Sequence, residues 1–380
     1  MPWKECTKLD QRMEFVMRVT YGQQSFSSLC GEFGISRKTG YKWLHRYQET
    51  GSLFALADRS RRPHTSPNKT APEKEALVVQ LRKAEGWGAR KIQPLLAQRD
   101  VHLTEITINR IIKRKGLLRK EGSNRPAVKR FEHEAPNDLW QIDLKGHINL
   151  NDGTKCYPFS VLDDHSRYLL GLFPLQKART KPIWRSLCQV FDCHGLPKAI
   201  LTDHGPPFWS TSNVLGLTQL SVAILNQDIR LIRSGVFHPQ TQGKVERLHR
   251  TLQESMRHHG FPRTMEACQV FFARFREVYN YQRPHEALGM DVPADHYESS
   301  QRPYQIHPPE WEYPPEMQIR QLNPQGCLDY AGQRLFVCEA LAREYVGLIE
   351  FAGKLYVHFR NYKIREIDLL SRRTKAPAAG

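Results

Sequence analysis

No run of about 18 or more apolar residues occurs in the 380-residue chain, and that length is what a helix needs to cross a bilayer. The opening stretch, MPWKECTKLDQRMEF, is too polar for the apolar core of a signal peptide, so a cytoplasmic location is expected. Cysteine is sparse: eight residues, at 6, 30, 156, 188, 193, 268, 327 and 338, with no CxxC pair. That scatter excludes a disulfide framework and predicts reduced thiols. Cys188, Cys193 and His194 lie close together, but no second ligand pair follows at zinc spacing, and packing is the better reading. Acid is also in short supply, with 39 Asp and Glu against 56 Lys and Arg and a formal net charge of +17.

What is present is unevenly spread. Hydrophobic residues make up 40% and charged residues 25% of the chain, which fits a soluble, multidomain protein with at least one sizeable core. Residues 1–130 hold 27 Lys and Arg against 12 Asp and Glu, so a surplus of 15 of the total 17 sits in that third. A basic front end on a near-neutral body points to a polyanion partner, nucleic acid well ahead of any membrane surface.

The front end reads as short helices. MEFVMRVTYG and SFSSLCGEFG supply two, with Gly34 and Ile35 at a turn. Ser36 is the expected cap of a third, in which Tyr41, Leu44 and Tyr47 share one face and which Gly51 ends. Helix, tight turn and capped basic helix is helix-turn-helix logic, placing Arg37, Lys38, Thr39 and Lys42 toward a DNA groove. A second unit comes next: PEKEALVVQLRKA, GARKIQPLLAQR and TEITINRIIKRKGL, with Thr104 as a cap. There Thr107, Arg110, Lys113 and Arg114 are the candidate DNA contacts, and Pro94 implies a kink or a late start in the middle helix. The boundaries expected are 1–60 and 61–120 for the two helix-turn-helix domains and 121–135 for a basic linker.

From Leu139 the pattern turns strand-like. LWQIDLKGHINL, the turn NDG and CYPFSVLDDHSRYLLGLFPL predict two or three strands in hairpin connection. KPIWRSLCQVFDCHG then reads as a helix with Ile183, Leu187, Val190 and Phe191 inward, and PKAILTD as a further strand. Hairpin strands followed by strand–helix alternation predict an α/β core with a mixed sheet over 136–300. In GKVERLHRTLQESMRHHG, Val245, Leu248, Leu252 and Met256 fall on one helix face. A Pro-rich linker (301–316) leads to short β-like runs over 317–380, read as a small β-barrel.

Three acids stand where metal chemistry would need them. Asp143 interrupts the apolar run WQIDL, where an unpartnered carboxylate is costly. Asp203 ends a strand before His-Gly-Pro-Pro, and Glu246 opens a helix whose positive end favours anions. Each alone is also compatible with an edge-strand acid, a turn residue or a first-turn acid. Asp163 and Asp164 read as a turn or a support for a neighbouring site, Asp138 and Asp152 as loop acids, and Glu254 as too far along its helix.

LWQIDLKG, FSVLDDHSRYLLG, ILTDHGPPF, HPQTQGKVERLHRTL and YNYQRPHEALGMDVPADHY, in that order, resemble the core blocks of bacterial insertion-sequence transposases with a DDE-type, retroviral-integrase-like catalytic domain. The likeness spans essentially the whole chain. It implies a ribonuclease-H-like fold for the core, with Asp143, Asp203 and Glu246 as catalytic acids and ligands of two Mg²⁺ or Mn²⁺ ions about 3.5–4 Å apart. It implies cleavage and joining of double-stranded DNA, transposon ends and target alike, by a homodimer or larger synaptic assembly in the bacterial nucleoid. Lys244, Arg247 and His238 become candidate phosphate contacts. Two departures stand out. The 42 residues between Asp203 and Glu246 predict an enlarged loop within WSTSNVLGLTQLSVAILNQD, and His204 sits where many relatives carry Asn. Alternatives are a catalytically silent DNA-binding regulator derived from such an enzyme, or a stand-alone nuclease.

Overall fold

Ser36 does what its position predicts: its Oγ accepts the Thr39 N–H at 3.2 Å and opens a helix running Arg37–Thr50. A computed structural model describes residues 7–22, 24–60, 69–118, 132–203, 205–210, 216–234, 243–369 and 374–375. The chain parts into two compact units, Met1–Thr70 and Ala71–Gly380. In the first, α1 (Lys8–Thr20), α2 (Phe26–Glu32) and α3 (Arg37–Thr50) surround Phe15, Val16, Leu29, Cys30 and Trp43. Leu44 and Tyr47 of the face expected for α3 pack against this core, but Tyr41 stands apart from them. Gly40 and Trp43 are buried, whereas Tyr41 is 49% exposed and stacks on Phe26 at 4.2 Å. The cause is close approach: a Cβ at Gly40 would stand 2.8 Å from Cys30 Sγ and 2.9 Å from Phe26 Cζ.

The second unit begins with three more helices, α4 (Pro72–Glu85), α5 (Ala89–Ala97) and α6 (Glu105–Arg114), packed around Val78, Ile92, Leu96, Ile108 and Ile111. Pro94 lies inside α5, so the helix is not a late starter. Glu85 ties this bundle to the α/β core, accepting from Arg274 at 3.0 Å and lying 3.2 Å from His259 Nε2.

The α/β core is built on β1 (Leu139–Leu144), β2 (Ile148–Asn149), β3 (Lys155–Asp163), β4 (Leu169–Leu175), β5 (Ala199–Thr202) and β6 (Arg230–Arg233). β4 and β2 pair with β3, β3 runs antiparallel to β1, and β1, β5 and β6 are parallel. The two faces follow the period of two along β3. Val161 joins Ile183, Leu187, Val190 and Phe191 of α7 (Thr180–His194), whereas Leu162 joins Val245, Leu248, Leu252 and Met256 of α9 (Gly243–His259) and Phe272 of α10 (Met265–Tyr281). Gly195 ends α7 at φ 73°, and a Cβ there would meet Ser300 O at 2.6 Å. The enlarged loop expected before Glu246 is corrected by α8 (Gln219–Asn226). A Thr218–Ser221 capping box starts this helix, and its Leu220 and Ile224 pack against the sheet.

The C-terminal barrel is also corrected. β7 (Gln318–Gln321), β10 (Tyr345–Phe351), β11 (Lys354–Phe359), β12 (Tyr362–Asp368) and β13 (Thr374–Lys375) form an open antiparallel sheet in the order β13-β12-β11-β10-β7. β8 (Cys327–Tyr330) and β9 (Gln333–Phe336) make a separate two-stranded ribbon. The core needs no closure because Val346, Leu348 and Val357 bury against Val222 and Leu225 of α8.

Candidate active site

β1 and β5 run parallel, with Trp140 beside Ile200 and Gln141 beside Leu201. Carried two residues further, that register sets Asp143 beside Asp203, at the carboxyl ends of adjacent strands. Ligands of α/β sheets bind beyond those strand ends. The Asp143 carboxyl is raised to about 6, first by burial, then by the charge of Asp203, with Glu246 adding to it. Acids from the end of β5 and the first turn of α9 therefore both act on the β1 carboxylate. A Cβ at Gly205 would come within 3.3 Å of Asp203 Oδ2, so this glycine leaves the carboxylate uncrowded.

Among the described residues no group of three or more His, Cys, Asp or Glu side chains is gathered closely enough to hold a metal ion. The donor chemistry nevertheless fits a hard divalent cation. Three carboxylates offer oxygen ligands of the kind Mg²⁺ takes, and the repulsion from Asp203 and Glu246 that adds to burial in raising Asp143 is what such a charge would relieve.

Two further residues flank this site, Asp164, read from the sequence as a turn or a support for a neighbouring site, and His249, which the sequence reading missed. His249, three residues after Glu246 on α9, is buried; its Nδ1 lies 3.4 Å from Asp143 Oδ2 and its Nε2 2.9 Å from Ser160 Oγ. Burial, with Lys145 adding, pushes its pKa down to about 4, so the ring is neutral. The available signal was its place beside Leu248 on the apolar side of the helix. Asp164, wholly buried, accepts from Gln141 Nε2 at 2.7 Å and His133 N at 2.9 Å, and pairs with Lys244 Nζ at 2.5 Å. Burial opposes its ionisation, but Lys244 and His133 outweigh it and hold the carboxyl below its usual range. Asp163 accepts from Ser166 N and Oγ, the local partnership expected of that pair.

The expected DNA contacts fall into three groups. Arg37, Lys38 and Lys42 are exposed at the start of α3, with Lys42 Nζ 5.1 Å over the Trp43 ring, while Thr39 Oγ1 lies 3.0 Å from Ser36 Oγ. On α6, Arg110 and Lys113 are exposed and Thr107 Oγ1 is 2.9 Å from Thr104 Oγ1. Arg247 is exposed beside Glu246. Arg114 and Lys244 are each engaged by a buried carboxylate, Glu75 and Asp164 respectively. His204 and His238 lie outside the described residues.

Comparison with known proteins bears on the same segments. Profiles of the integrase core domain match residues 133–239 and 227–293. A homeodomain-like profile matches 39–112 and a helix-turn-helix profile 11–64. An uncharacterized 31.7 kDa protein of insertion element IS407 from Burkholderia multivorans is 26% identical over 59% of this chain and 81% of its own length. The putative transposase y4bF of Sinorhizobium fredii is 24% identical over 72% of this chain and 61% of its own. The transposase for insertion sequence IS1202 of Streptococcus pneumoniae is 22% identical over 70% and 66%. Among solved structures, the HTLV-2 integrase catalytic core with magnesium aligns over 43% of this chain and 99% of its own, at 17% identity and a TM-score of 0.35. By the profile matches, the chain carries helix-turn-helix domains within residues 11–112 and an integrase core domain within 133–293.

Proposed function

We propose, for a chain that carries helix-turn-helix and integrase core domains and has insertion-element transposases among its relatives, that it is a DNA transposase. It binds the terminal inverted repeats of an insertion sequence and catalyses metal-dependent strand cleavage and strand transfer. The observation that carries this reading is that the charges of Asp203 and Glu246 both act on buried Asp143, the three acids coming from separate elements. Two Mg²⁺ or Mn²⁺ ions would activate the attacking oxygen and stabilise the leaving one. Asp143, Asp203 and Glu246 are the residues that would hold them. Arg247, exposed beside Glu246, faces the backbone phosphates, and Arg37, Lys38 and Lys42 with Arg110 and Lys113 supply affinity and strong salt dependence at the ends. Bringing two ends together calls for a dimer or larger assembly.

The test is a cleavage and strand-transfer assay on duplexes carrying the inverted repeats that flank the gene, in Mg²⁺ and in EDTA. Asp203→Asn is expected to abolish both reactions while end binding persists. Wild-type rates in Asp203→Asn, or in EDTA, would defeat the three-acid reading.

A further inference from the structure

We propose that His249 is a positioning residue that locks Asp143 and the Glu246-bearing turn of α9 into one arrangement. The inference rests on the reading of the three acids given above. Three residues along a helix return to nearly the same face, so His249 lies one turn beyond Glu246 on a shared side of α9. Its ring reaches two strands at once. Nε2 meets Ser160 Oγ of β3 at 2.9 Å, and Nδ1 stands 3.4 Å from Asp143 Oδ2 of β1. Ser160 is itself the cross-strand partner of Asp143, and its Oγ lies 3.4 Å from the Asp143 carbonyl. The imidazole therefore closes a polar triangle of helix, first strand and neighbouring strand.

Packing alone does not account for this choice. Val245, Leu248, Leu252 and Met256 fill the same interface with apolar side chains, and a buried imidazole costs desolvation unless both nitrogens are met. Here both face polar atoms, and the partners fix the tautomer. A carboxylate opposite Nδ1 favours the proton on that atom, and the Ser160 hydroxyl then gives its one proton to Nε2 at 2.9 Å in place of the Asp143 carbonyl at 3.4 Å. On the other side of Glu246, Lys244 Nζ donates to the Asp164 carbonyl at 2.9 Å and pairs with its carboxylate. Glu246 is thus carried between two buried polar anchors, of which only His249 touches another acid of the site. Such outer partners orient metal ligands, and removing one typically costs about 10–100-fold in metal affinity.

Two measurements on the full-length chain test this. The first uses metal-free protein with ¹⁵N-labelled histidine, the His249 signals being identified by their loss in His249→Asn. Neutral His249 with the proton on Nδ1 is expected, with its signals shifting in Asp143→Ala; a proton on Nε2 would overturn the proposal. The second follows Mn²⁺ binding by the electron paramagnetic resonance of the free ion, without DNA. His249→Leu, which keeps the volume, is expected to lose about tenfold or more in Mn²⁺ affinity. His249→Asn, which keeps a donor toward Asp143, stays close to wild type, and Ser160→Ala gives a smaller loss without touching the helix. Unchanged Mn²⁺ affinity in His249→Leu would overturn the positioning role. Failure of the wild-type chain to bind Mn²⁺ would instead overturn the metal reading of the site, and the proposal with it, whatever the tautomer.

Discussion

Asp143 on β1 and Asp203, one residue past the end of its parallel neighbour β5, stand where the β1–β5 register carries them side by side, and burial first, then the charge of Asp203, raises the pKa of Asp143. The arrangement stores repulsion in the absence of a cation. The folded Asp143 carboxyl titrates at about 6 against an ordinary value of 3.8. Between those values the unfolded chain gives up a proton that the folded one keeps, so this group lowers stability as pH rises through the window and leaves it lowered above. The difference corresponds to about 3 kcal/mol. In EDTA at pH 7, Asp143→Asn should therefore unfold a few degrees above wild type, and the gap should narrow with Mg²⁺. An Asp143→Asn melting temperature below wild type in EDTA would contradict the assigned repulsion.

Asp164 should behave in the opposite way. It is a buried carboxylate with Gln141, His133 and Lys244 all directed at it. Removing its charge strands Lys244, whose own pKa burial and Arg167 already lower to about 8. Breaking a buried ion pair from one side costs about 3–5 kcal/mol. Asp164→Asn is expected to lower stability by that order in urea unfolding, with activity falling in step. Asp203→Asn should lose activity at little cost in stability. Equal stability of Asp164→Asn and wild type would show that the Lys244 pair contributes nothing.

The contrast between these acids shows how far the sequence could be read. Asp143 was visible because one charge broke an apolar strand, and Asp203 because a strand ended on it. The inward face of α9 was equally plain from the spacing of Val245, Leu248, Leu252 and Met256, all four of which are buried. His249 and Lys244 were not, since a helix pattern assigns polar residues to water and cannot announce a carboxylate waiting on another strand. Of Tyr41, Leu44 and Tyr47, read from spacing as one face, Leu44 and Tyr47 pack against the core, whereas Gly40 lets α2 and α3 approach so closely that the Tyr41 ring is left outside. Closure of the C-terminal sheet was equally illegible. Alternating short strands look alike in an open sheet and a barrel, because closure depends on which distant strands pair.

Gly40 gives a local test of the first helix-turn-helix. An added methyl would press on Cys30, Phe26 and Phe15, at 2.8, 2.9 and 3.0 Å. Overpacking of this kind costs about 1–3 kcal/mol. Gly40→Ala should raise hydrogen exchange across α1, α2 and α3 and weaken binding to terminal-repeat DNA, while exchange in the sheet of the α/β core stays unchanged. Unaltered exchange in α2 and α3 would show that the helices can separate without cost.

Acid sensitivity should trace in part to His285. The residue is buried, its Nε2 lies 3.4 Å from the Tyr279 carbonyl, and its ring meets Tyr279 edge-on at 4.6 Å. Burial first, then the charge of Arg283, pushes its pKa down to about 2 from an ordinary 6.5. Below pH 6.5 the unfolded chain takes up a proton that the folded chain refuses. Stability therefore falls as pH drops, approaching about 1.4 kcal/mol per pH unit. His285→Gln removes that uptake from the unfolded state. In urea titrations at pH 7, 6 and 5, the variant should begin less stable than wild type and lose stability more slowly toward acid, so the two curves converge. His249, pushed down to about 4 by burial and Lys145, pulls in the same direction but is common to both proteins and cancels in the comparison. Parallel curves would mean that His285 takes up its proton in the folded state, at odds with its buried place beside Arg283.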